Sequence, residues 1–203
     1  MNPDHEPSTM NHHPILHQDK TFTSIDYSEK TLDNREFVKC EFINCNFSKS
    51  DLRGNDFVDC IFKQCNFSLT TLDGSGLKDV VFIGSKIMGV DFTRCNKFLF
   101  TFQFIDCYLD YSTFFGTKIK KTSFSNCSLK EVDFSEADLS GAIFKECDLL
   151  GTKFSNTILE KADFRTAQNF SIDPDQNRLK KAKFAVQNLT GLLYKYNIDI
   201  SYD

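Results

Sequence analysis

Eight cysteines and four histidines are the residues most able to do chemistry in this 203-residue chain. Clustered thiolates and imidazoles bind metals or act as nucleophiles, and cysteines in an oxidising compartment pair. Their positions argue against each role. Cys40 and Cys45 lie in "CEFINC", which offers no Cys-x-x-Cys pair and no neighbouring histidine. Cys60, Cys65, Cys95, Cys107, Cys127 and Cys147 stand in the same kind of isolated setting. His5, His12, His13 and His17 all fall in the polar opening "MNPDHEPSTMNHHPILHQDK". That stretch offers weak, adventitious metal binding at most and reads as a flexible tail over 1–20. No glycine-rich phosphate loop, nucleophile elbow or convergent acid–base pair is present. The chain is therefore expected to be no enzyme and to need no cofactor or metal.

What must position these residues is a repeat. In "TSFSNCSLKEVDFSEADLSGAIFKECDLLGTKF", Phe124, Leu129, Phe134, Leu139, Phe144, Leu149 and Phe154 recur every five positions. Five is a period of neither the helix nor the flat strand. The same slot runs from Phe22 through Tyr27, Leu32, Phe37 and Phe42 to Phe92, then from near Leu99 and Phe104 to Phe164. Two residues before each slot stands a small residue, Cys40, Cys45, Ser50, Thr117 or Ala137 for example, and all eight cysteines fall there. Residues two apart on an extended chain point the same way, so small and large residues face inward and the one between faces out. The remaining two residues must turn a corner. Thiols stacked in parallel, ~4.8 Å per coil, leave their Cβ atoms farther apart than a disulfide prefers, so all eight are expected to be reduced and structural.

Identical residues also align every twenty positions: Phe22, Phe42, Phe62 and Phe82 in one column, Phe114, Phe134 and Phe154 in another. Twenty residues make four five-residue sides, so the predicted architecture is an all-β, four-sided coil. About seven coils make a rod on the order of 35 Å long. The 22 phenylalanines and the absence of tryptophan fit one slot used repeatedly. A net charge of -4 gives no reason to expect direct nucleic-acid binding. No apolar run is long enough to span a membrane and the N-terminus lacks a signal-peptide pattern, so the expected location is the cytoplasm.

Two places break the pattern. Phe92 and Leu99 are seven apart, so a register break is expected near 93–103, where Phe98, Phe100 and Phe102 cannot all face inward. Near the end, Pro174 stands where an apolar slot is due, although Leu159 and Leu179 keep the spacing of twenty. The repeat is expected to span 21–184. The segment 185–203 should cap it with a short helix from about Asn188 to Tyr196, because a solenoid end exposes open strand edges. Asn197 suits the stop.

With "ADLSG", "VDFSE" and "CNFSK" as repeats, the chain resembles the pentapeptide repeat proteins over about Phe22 to Phe184. The resemblance implies a right-handed quadrilateral β-helix. Within that family it resembles the Qnr quinolone-resistance group and the microcin and albicidin immunity proteins. "TAQNFSIDPDQNRLKKAKF" looks like the capping segment of the latter. This implies binding of DNA gyrase or topoisomerase IV through an acidic side of the rod. It also implies protection from quinolones or peptide toxins.

The residues supply candidates for such a surface. One side carries Asp33, Asp51, Asp73, Asp91, Asp133 and Glu136 outward against Arg53, Arg94 and Lys153, and Phe98 and Phe100 mark the register break. Outward Ile43, Ile61, Val81, Ile83, Ile105 and Ile143 form an apolar strip that the segment around Ile15 and Leu16 is expected to cover. Leu189, Leu192, Leu193, Tyr196 and Ile198 form the candidate cap and homodimer contact. The alternative is a general protein–protein interaction scaffold unrelated to topoisomerases.

Overall fold

Alternation and corner together produce the observed coil. The computed structural model describes residues 13–201. All named strands run parallel in one ten-stranded arrangement. The Phe42 side carries β2 (Thr21–Thr23), β4 (Glu41–Ile43), β6 (Ile61–Lys63), β7 (Gly76–Ile83), β8 (Phe100–Ile105), β9 (Ser123–Ser125) and β10 (Ile143–Lys145). The Phe37 side carries β1 (Ile15–Gln18), β3 (Arg35–Val38), β5 (Asp56–Val58) and the first half of β7. The other two sides are held by single parallel bridges such as Asn46 to Asn66 and Asp51 to Thr71. Backbone bonds run from coil to coil: Phe47 N–H donates to Asn66 O (2.6 Å) and Asp51 N–H to Lys30 O (2.9 Å).

The core is a set of ring stacks along the rod. Phe42 and Phe62 stack at 4.7 Å and Phe124 and Phe144 at 5.2 Å, and the stack continues to Phe184. Neighbouring columns meet edge to face, as Phe42 meets Phe47 at 5.6 Å. Both arrangements are favoured geometries for aromatic pairs. The small slots hold the thiols and hydroxyls, whose hydrogens find the backbone of the preceding coil: Cys60 Sγ donates to Phe37 O and Ser75 Oγ to Leu52 O. Burial of these groups is therefore compensated.

Most corners are turned by a residue with positive φ, recurring every five positions through Asn34, Lys39, Asn44, Lys49 and Gly54, for example. Most are not glycine. Lysine, glutamate and Leu69 (φ 60°) all serve, at a cost of about 1–2 kcal/mol each relative to a relaxed backbone.

The coil starts earlier than the sequence suggests. β1 (Ile15–Gln18) pairs with β3 inside the stretch read as a tail, and His17 stacks on Phe37 at 4.8 Å, taking the place of a large apolar residue. His5 and His12 lie outside the described residues. Ile15 and Leu16 consequently extend the Phe37 side and are half exposed, so they do not cover the isoleucine strip.

At the register break Leu77 pairs with Phe100, not Leu99, and Val80 pairs with Phe102. The positive-φ corner at Asp79 has no counterpart in β8, so three extra residues before Phe100 are offset by one lost after it. Leu99 instead lies over Gly76, where an added Cβ would sit 2.9 Å from Leu99 Cβ. Phe102 is buried in a slot that Val80 and Thr122 fill in adjacent coils.

The cap is two short 3-10 helices, Val186–Leu192 and Tyr194–Tyr196, and not one helix from Asn188. Its seat is polar: Asn188 Nδ2 donates to Phe164 O and Ala167 O (both 3.1 Å), satisfying carbonyls the last coil leaves open. Such geometry explains the tighter helix, because Gly191 must approach Phe170 closely and Ile172 N–H bonds to Gly191 O. Asn197 ends it with φ 47°.

Candidate functional site

Parallel bridges set the outward residues of the Leu52 side in register. Thr31, Asp51 and Thr71 form one run, and Asp91, Thr113, Asp133 and Lys153 another. Asp91 and Asp133 are therefore separated by Thr113 and lie about 10 Å apart, two coil spacings, with Lys153 following Asp133. Asp33 and Asp91 are exposed, Asp51, Asp73 and Asp133 half-buried, and Glu136 occupies a corner. Each aspartate in the run closes a local turn: Asp91 Oδ1 accepts from Thr93 N–H (2.8 Å) and Asp133 Oδ1 from Ser135 N–H (2.8 Å).

The charges are partly neutralised in place. The Arg53 guanidinium donates to Asp51 through Nε–H (2.9 Å) and Nη2–H (2.6 Å), and this holds the Asp51 carboxyl below its ordinary value. Arg94 reaches Asp73 at 3.2 Å. The side is acidic but not densely so.

Phe98 and Phe100 part company. Phe98 is 96% exposed, whereas Phe100 packs on the core and meets Phe102 edge to face at 4.8 Å. At the C-terminal end, Leu192 packs against the core, while Leu189, Tyr196 and Ile198 are exposed together with Val186, Tyr194 and Ile200. Tyr108 and Tyr111 are further exposed aromatics that the repeat pattern did not single out, since they occupy its variable and outward positions.

All eight cysteines are free and buried. Burial pushes the thiols of Cys60, Cys65 and Cys95 up to about 12, which removes the thiolate needed for nucleophilic or metal-binding work. Among the described residues no group of His, Cys, Asp and Glu is arranged to hold a metal ion.

The family model for the pentapeptide repeat region matches residues 35–114, 55–132 and 117–193. The chain belongs to the pentapeptide repeat family. No curated protein matches it in sequence. Among solved structures it is similar to a trypsin-treated variant of QnrB1, a plasmid-mediated fluoroquinolone resistance protein. The identity is 19%, with 95% of this chain and 94% of that chain covered and a TM-score of 0.62. It is also similar to HetL of the cyanobacterium Nostoc sp. strain PCC 7120, a pentapeptide repeat protein involved in heterocyst differentiation regulation. There the identity is 17%, with 83% and 86% covered and a TM-score of 0.43. As a pentapeptide repeat protein the chain is an all-β solenoid, and no helix among its described residues is long and apolar enough to cross a membrane.

Proposed function

We propose that this pentapeptide repeat protein is a protein-binding rod that engages DNA gyrase or topoisomerase IV and protects it from a quinolone or peptide toxin. The observation that carries the reading is the register of outward carboxylates, Asp51, Asp91 and Asp133 with Asp33 and Asp73, along one side of a rigid rod. The Qnr-like fold supports it. Charge density alone does not make the rod a copy of DNA, whose duplex carries one charge per ~1.7 Å. Specific complementarity to a basic protein surface is the better description.

The test is the triple substitution Asp51→Asn, Asp73→Asn and Asp91→Asn. Asparagine keeps the Oδ1 acceptor that closes the turns at Asp51 and Asp91, so thermal stability should hold. Gyrase inhibition or protection in a supercoiling assay should weaken. Wild-type protein with no effect on gyrase at micromolar concentration gives the function to the alternative, a general interaction scaffold. Equal activity of the triple variant keeps gyrase and removes the acidic side. The reading includes a homodimer through the exposed apolar end of the cap.

A further inference from the structure

The register break leaves a crevice between two coils. β8 pairs forward with β9 only from Gln103 onward, and Lys118 bridges only to Asp138 ahead of it. Among the described residues no ladder bond joins 97–102 to 116–121. The gap between these coils is a crevice of about 290 Å³. Its floor is Phe92, Cys95 and Phe100, and its rim carries Lys97 and Lys118.

We propose that this crevice binds a small apolar carboxylic acid, with its hydrocarbon part against Phe92 and Phe100 and its carboxylate between the two lysines. Charge sets the head group. The charged residues lining the crevice are both lysines, Lys97 and Lys118, and no carboxylate lines it beside them. Volume decides the size. At about 30 Å³ per water, the crevice is worth roughly ten water molecules, too little for a drug-sized ligand and enough for a single ring with a short acidic arm. Gly116 opens one wall, since a Cβ added there meets nothing within 4 Å.

The probe is 3-phenylpropionate, with neutral 3-phenylpropanol as its control, followed by saturation transfer from the full-length protein. Labelling of Cys95 by N-ethylmaleimide, located by mass spectrometry, gives a second readout: Cys95 lines the floor and is buried as the thiol, so the reagent reaches it only when the break opens, and a ligand that holds the crevice closed slows that opening. The acid should bind more tightly than the alcohol by about threefold for each lysine it meets. It should also slow labelling at Cys95. Lys97→Gln with Lys118→Gln should lower affinity for the acid to that for the alcohol. Gly116→Leu should abolish binding of both. Leu69 already holds a corner at φ 60°, so leucine is compatible with the φ of 64° at Gly116. The lysine variants touch no core residue and decide the matter if Gly116→Leu folds poorly. Equal affinity for acid and alcohol, or an unchanged labelling rate at Cys95, overturns the proposal.

Discussion

Phe134 is fully buried, with Phe114 stacked on one face at 5.2 Å and Phe154 on the other at 5.7 Å. Nothing nearby can move in to replace it, because every neighbour is itself tied to a column. Phe134→Ala should therefore cost about 3–5 kcal/mol, read as a lower denaturation midpoint, and an unchanged midpoint would refute the column. His17 occupies the end of another column. Its Nε2 lies 3.2 Å from Arg35 Nη1, and burial, with Lys20 and Arg35 nearby, lowers its affinity for a proton below the ordinary 6.5. The folded form then binds fewer protons than the unfolded chain, so stability should fall as pH drops below 6.5 and level off beneath the lowered value. His17→Phe, which extends the Phe37 stack, should remove this slope below pH 6.5. A slope unchanged in the variant would place it elsewhere.

At the scale of elements, the break depends on a missing side chain. An added Cβ at Gly76 would collide with Asp56 Oδ1 and lie 2.9 Å from Leu99 Cβ. Gly76→Ala should push residues 97–99 outward, destabilise the rod by about 1–3 kcal/mol and speed labelling of Cys95. Thermal denaturation and thiol labelling check this together, and wild-type values in both would clear Gly76. The columns, the inward thiols and the place of the break were legible, because burial imposes one residue class on every slot. The exact pairing was not. Leu99 and Phe100 are both apolar, and only the lost corner after Phe100 selects between them. Corners were illegible for the opposite reason: Lys39, Leu69 and Glu131 adopt positive φ because the coil compels them, leaving no glycine signature. The start at Ile15 was hidden by His17, a polar residue acting as a stacking ring. Asn55, Asn177 and Asn188 share one duty, each bonding two carbonyls with its amide, which their scattered positions concealed.

For the whole molecule, the two ends differ. Lys195 ties the cap down through Asp173 (2.5 Å) and Asp175, leaving Leu189, Tyr196 and Ile198 facing water. If they join two rods, Tyr196→Asp with Ile198→Asp should give a folded monomer in sedimentation, and a wild type that is already monomeric at high concentration ends the dimer proposal. Binding of gyrase through the acidic side should weaken with salt, since exposed charges beyond about 8 Å are screened at physiological ionic strength. The seam beside Phe100 has a wider consequence. A solenoid holds together through contacts between adjacent turns alone, so its cooperativity is only as strong as its weakest junction. Across this junction the Phe82–Phe104–Phe124 stack and the Phe92–Phe114 stack continue, but one wall of backbone bonds does not. An unfolding front travelling from the cap would have its natural resting place there, with the N-terminal turns still wound and their Phe92 end newly open to solvent.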